Sequence, residues 1–131
     1  MADSMSHRDW ITRAEQDRLV LRTLGQKGFD GMADAVCYLC HQTTEKLLKA
    51  FLLKQRNALL KTHDLLYLLH QCAEIDARFG NHEEALIVLN QYAMAARYPG
   101  DFAGERSVSE AVEAYRYSED FYRFILTEIG L

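Results

Sequence analysis

One run, residues 31–55 (GMADAVCYLCHQTTEKLLKAFLLKQ), constrains the rest of the chain more than any other. Ala33, Val36, Cys37, Cys40, Thr44, Leu47, Leu48, Phe51 and Leu52 recur at helical spacing, with Asp34, Gln42, Glu45, Lys46, Lys49 and Lys54 between them. That is the pattern of a single long amphipathic helix. Gly28 and Gly31 precede it and the polar run Lys54, Gln55, Arg56, Asn57 follows it, so both ends are marked. At about 1.5 Å of rise per residue, such a helix crosses a small domain. The other segments must pack around it.

Those segments also read as helices. Asp9 stands where a cap belongs for a first helix to about Leu24, with Trp10, Ala14, Leu21 and Leu24 on one face. Residues 1–8 read as a disordered N-terminus and 9–131 as one domain. After the long helix, Thr62 is placed as an N-cap and Asp64 in the first turn of a third helix, striped by Leu65, Leu68, Leu69, Cys72 and Ile75. Asn81 with Glu84 resembles a capping box opening a fourth, whose face is Ala85, Val88, Leu89, Tyr92 and Ala96. The stretch RYPGDFAGER, 97–106, holds the chain's only proline and ends that helix. Ser107 with Glu110 is a capping box for the last helix, with the face Val108, Val112, Tyr115, Tyr122, Ile125 and Ile129. Nothing reads as a strand. The expectation is an all-α fold, an up-and-down antiparallel bundle of about five helices. Tyr115, Tyr117, Phe121, Tyr122 and Phe124 wrap more of the last helix than one buried stripe needs, which suggests a second subunit or a rim of the core.

A chain of 131 residues, 49% of them hydrophobic, can bury one core without disulfides or metal. Its formal net charge of −4 excludes a surface that is basic all over, though not a local basic patch. No apolar run is long enough to span a bilayer, and the opening MADSMSHRDW lacks the apolar centre of a secretory signal, so a cytoplasmic protein is expected. Cys37, Cys40 and Cys72 fall on apolar helical faces, where reduced thiols act as small core side chains.

Four separated blocks, CHQTTEKLLKAFLLKQ, KTHDLLYLL, YAMAARYPGD and SEAVEAYRYSEDFYRFILTEI, resemble the HEPN family (higher eukaryotes and prokaryotes nucleotide-binding) in the family's order. The resemblance implies an all-α bundle, commonly a homodimer. Many HEPN proteins are metal-independent ribonucleases with an Arg followed by a His four to six residues on. The imidazole moves a proton and the guanidinium holds the phosphate as charge builds. Arg56 and His63, with six residues between them, satisfy the bare spacing, but the family motif aligns with Arg97. There the positions for a His hold Phe102, Ala103 and Gly104. The likeness therefore favours the HEPN branch found beside minimal nucleotidyltransferases, which carries the same ARYP-type loop. It implies a non-catalytic subunit that binds a nucleotide, RNA or another nucleic-acid-related ligand through Arg97, Tyr98, Asp101, His63 and Lys46, and partners a small nucleotidyltransferase in a toxin–antitoxin arrangement. Two other readings stay open: a ribonuclease using Arg97 or Arg56 with His63, and a scaffold bundle without a ligand.

Three further features read as structural. Cys37, Cys40 and His41 have the spacing of a c-type haem attachment site, but they sit mid-helix and no export signal is evident. Adding Cys72 gives a four-ligand zinc set without the loop geometry of a zinc knuckle, so neither cofactor nor metal is expected. Lys46, Lys49, Lys54, Arg56 and Lys61 form a positive run that could attract phosphate but reads as a solvated face.

Overall fold

The computed structural model describes residues 6–94 and 106–131. Five α-helices, α1 (His7–Gln26), α2 (Ala33–Arg56), α3 (Leu65–Ile75), α4 (Glu83–Asn90) and α5 (Val108–Arg123), make an all-α fold with no strand among the described residues. A 3-10 turn (Ala77–His82) precedes α4, and α5 runs on into a π-helical turn (Phe124–Glu128). The long helix is the pole of the bundle: fourteen of its residues are buried, among them Val36, Cys40, Leu47, Leu48 and Leu52. Sustained burial on so many sides requires neighbours all round, and α1, α3, α4 and α5 all pack on it.

Cap chemistry explains where the helices differ from expectation. α1 starts at His7 rather than after Asp9, because Ser6 is the cap and Asp9 is its partner in the capping box: Ser6 N–H donates to Asp9 Oδ2 at 2.8 Å. Asp64, not Thr62, caps α3, accepting from Leu66 N and Tyr67 N, while Thr62 Oγ1 accepts from Asp64 N at 3.1 Å. The Asn81–Glu84 box does not form. Asp76 accepts from Arg78 N and has already turned the chain helical by Asn81, so α4 follows without a side-chain cap. Ser107 and Glu110 form the expected box on α5.

The buried face of α5 also differs. Ala111, Ala114, Ser118, Phe121, Phe124 and Ile125 are inside, whereas Val108 and Val112 are 41% and 54% exposed. Small residues at three- and four-residue steps let two helix backbones approach closely, and α5 uses them against α2. The aromatics in excess of one stripe are engaged within the chain. Phe121 and Phe124 are core. Tyr115 meets Phe29 edge-on at 5.6 Å, and Tyr122 donates to Glu15 at 3.0 Å beneath the Arg18 guanidinium.

Helix directions decide which polar side chains can meet. α1 runs antiparallel to α2, with Asp17 opposite Lys46 and Trp10 near Lys49, and antiparallel to α5, with Arg18 bonded to Glu119. Asn57, at φ 52°, ends α2 in the left-handed conformation, a geometry that asparagine tolerates better than most residues. The connection 57–64 then returns along α2. α3 therefore starts beside His41 and Glu45, and ends near Arg56, which bonds Gln71 and Glu74.

Candidate functional site

The returning connection carries His63 to the middle of α2, where three polar residues occupy the core register: His41, Glu45 and Lys49 are 0%, 4% and 6% exposed. Glu45 Oε2 accepts from Lys49 Nζ at 2.9 Å, and its Oε1 accepts from His63 Nδ1 at 2.9 Å. His41 Nε2 lies 3.0 Å from the His63 carbonyl oxygen. A carbonyl only accepts, so Nε2 carries the proton and Nδ1 is free to accept from the Gln42 amide at 3.4 Å. Burial holds the His41 imidazole below its ordinary pKa, against the opposing pull of Glu45. His41 is therefore neutral at pH 7, and it clamps the backbone that presents His63.

His63 itself faces outwards, its side chain 72% exposed. Its Nδ1 is bonded to Glu45, which leaves Nε2 outside that bond, and the residue lines a cleft of about 260 Å³ together with Trp10, Lys49, Leu59, Leu60, Lys61 and Thr62. Lys49 Nζ is 5.7 Å from the centre of the Trp10 ring. The indole N–H of Trp10 is buried without an acceptor among the described residues. One wall is thus apolar and aromatic, and the rest carries two ammonium groups and an imidazole.

The other expected site residues separate. Lys46, three residues from Lys49, points to α1 and is bonded to Asp17 at 2.5 Å. Arg56 is held by Gln71 and Glu74 while His63 is held by Glu45, so the structure does not bring Arg56 and His63 together. Arg97, Tyr98 and Asp101 lie outside the described residues. Sequence reasoning passes over Glu45 and Trp10 as binding residues, and reads Lys49 as part of a solvated run and His41 as part of a structural Cys–His stretch. The lysine run is not wholly a solvated face, because Lys49 is buried within it. A signal does exist: His41, Glu45, Leu48 and Leu52 recur at steps of four, three and four, which puts polar residues in an apolar register.

The cysteines are free and buried, each with its own neighbours. Cys37 meets Tyr92, Cys40 meets Ser118, and Cys72 Sγ lies 3.8 Å from the Leu48 carbonyl oxygen. Cys72 does not converge with the other two, and His41 is already committed to His63, so the four residues do not form a metal-binding set. Burial pushes the Cys37 and Cys72 thiols up to about 11 and about 12, and Cys40 higher still.

A family model for the HEPN domain matches residues 7–129, nearly the whole chain. The chain belongs to the HEPN family. No curated protein and no solved structure matches it. Within this HEPN bundle the EKLLK block supplies Glu45 and Lys49 and the KTHD block supplies Lys61, Thr62 and His63, so two of the blocks that carried the resemblance meet at one cleft. No described helix is long and apolar enough to cross a membrane.

Proposed function

We propose that this chain is a non-catalytic HEPN subunit that binds a nucleotide or nucleic-acid-related ligand and acts as a homodimer beside a small nucleotidyltransferase, in a toxin–antitoxin pair. The observation that carries the non-catalytic reading is the separation of arginine from imidazole. Ribonuclease chemistry of this family's kind needs both at one phosphate. Here Phe102, Ala103 and Gly104 replace the His that should follow Arg97, and Arg56 is engaged by Gln71 and Glu74 on α3. Ligand binding is supported by His63 at a cleft with two lysines, and by the cationic residue Arg97 in the ARYP-type loop. Exposed Val108 and Val112 are apolar side chains on α5 that a second subunit can cover.

The purified chain is expected to leave single-stranded RNA intact in chelator, with no cleavage above a buffer control. Arg97→Ala is expected to weaken binding of a phosphate-bearing ligand by about 1.5–3 kcal/mol, the worth of a hydrogen bond to a charged group. Robust cleavage lost in both Arg97→Ala and His63→Ala would replace this reading with an enzyme. Light scattering should give a dimer, and a short nucleotidyltransferase encoded next to this chain should copurify with it.

A further inference from the structure

The geometry points to the cleft between Trp10 and the 57–64 connection as a phosphomonoester site, taking the phosphate of a single nucleotide on Lys49 and Lys61, a hydroxyl of the same nucleotide on His63 Nε2, and its flat base against Trp10. This rests on the proposed ligand-binding role and adds to it the place, the size and the contacting groups.

The buried charges weigh most. An ion pair inside a helical bundle is often no better for stability than well-packed apolar residues of the same volume. Leu or Met at 45 and 49 would continue the stripe of Leu48 and Leu52. The fold instead keeps Glu45 and Lys49, 4% and 6% exposed, where Lys49 lines the cleft floor. Glu45 touches both Lys49 and His63, at 2.9 Å each, which makes it a positioning residue: it fixes Lys49 Nζ and turns His63 so that Nε2 is the edge left for a ligand. Lys61 is exposed on the same wall. Two ammonium groups around one opening suit a compact, multiply charged anion with several acceptor oxygens, and His63, its Nδ1–H given to Glu45, offers Nε2 as an acceptor for a hydroxyl of the same ligand.

The remaining lining selects what carries that anion. Trp10, Leu59 and Leu60 are apolar, and an indole offers a face on which a base stacks whatever its identity. At about 260 Å³ the cleft lies just below the roughly 300–1,000 Å³ of pockets that enclose drug-sized ligands, so it seats at most one nucleotide unit, with part of that unit left in solvent. That unit is either a free mononucleotide or the phosphorylated end of a strand.

The chain's single tryptophan lines this cleft and is a built-in reporter of its occupancy. Adenosine 5′-monophosphate is expected to change Trp10 fluorescence saturably, with adenosine and inorganic phosphate each at least tenfold weaker. A 5′-phosphorylated trinucleotide, compared with its unphosphorylated form, tells a strand end from the free nucleotide. Lys61→Ala, at an exposed position, and His63→Asn, whose amide can still donate to Glu45, should each weaken binding about tenfold or more with thermal midpoints close to wild type. Lys54→Ala, exposed on α2 and away from the cleft, should not. Adenosine binding as tightly as the monophosphate would overturn the phosphate assignment. Calorimetric binding of the monophosphate that is undiminished in both Lys61→Ala and His63→Asn would overturn the cleft while leaving a nucleotide-binding HEPN subunit intact. Failure of the monophosphate, the trinucleotide and longer RNA alike to bind by calorimetry would overturn both.

Discussion

The α2 pole passes through two regions of opposite chemistry. Near its C-terminal end, Phe51 meets Phe79 at 4.6 Å between ring centres, Phe79 meets Phe124 edge-on at 5.1 Å, and the His82 ring lies 4.2 Å from that of Phe124. Near its middle, His41, Glu45 and Lys49 are buried and fill the interior with charge and hydrogen bonds. Each region contains a histidine whose pKa burial has lowered, and the two histidines differ in their company. His82 packs among rings, whereas His41 donates to a backbone carbonyl that presents another side chain to solvent. The aromatic region supplies packing, and the polar one supplies arrangement at a cost in desolvation. Mutations should therefore fail in different ways at the two places.

The largest effect is expected at the aromatic end. Phe79→Ala removes a fully buried ring that touches three others and should cost about 3–5 kcal/mol by urea unfolding. A loss under about 1 kcal/mol would mean that this region is not the packing centre of the bundle.

Next comes the polar middle, where the outcome should depend on the partner. Glu45→Leu leaves Lys49 buried without its carboxylate and should cost about 3 kcal/mol, at the lower edge of what breaking a buried pair costs. Adding Lys49→Met should restore much of that loss in the same unfolding measurement, because two apolar side chains suit the register. If the double variant is as unstable as the single one, the pair holds the fold together, and the contrast between the regions disappears.

The smallest effect is a dependence on pH. Both lowered histidines are more readily protonated in the unfolded chain, whose ordinary value is 6.5. Above that pH both states are neutral at these rings and titration contributes nothing. As pH falls below 6.5 the unfolded chain takes up protons first, so stability declines until the folded-state values are passed. The slope is at most about 1.4 kcal/mol per pH unit for each ring. His82→Phe should flatten part of this decline, and His41→Gln, whose amide can still donate to the His63 carbonyl, should flatten another part. A decline unchanged in both variants would place its origin elsewhere.

Whether a feature is legible in the residues depends on whether it is local. Helix number, the pole on α2 and the Ser107–Glu110 box follow from spacing and short-range hydrogen bonds, and the structure has them. Caps shift where several donors and acceptors compete within a few residues, as with Ser6 against Asp9 and Asp64 against Thr62. The inner face of α5 is hidden because Ala111, Ala114 and Ser118 carry little hydrophobicity and matter through smallness. Lys49 reads with the surface lysines because an i, i+4 Glu–Lys pair looks the same in a sequence whether water or Trp10 lies beside it. His63 stands out without its partner, since only the return of the connection along α2 brings it to Glu45.

That return begins at one residue. Asn57 turns the chain back on itself, and the connection is next tied down by hydrogen bonding at Thr62 and His63, so Ala58, Leu59, Leu60 and Lys61 span an interval between two anchors. Leu59 and Lys61 are exposed and line the cleft. Surface positions of this kind tolerate substitution far better than core positions do. Within a lineage, the selectivity of the opening is therefore free to drift by changes at 59 and 61, while the anchors and the helical pole keep the frame constant.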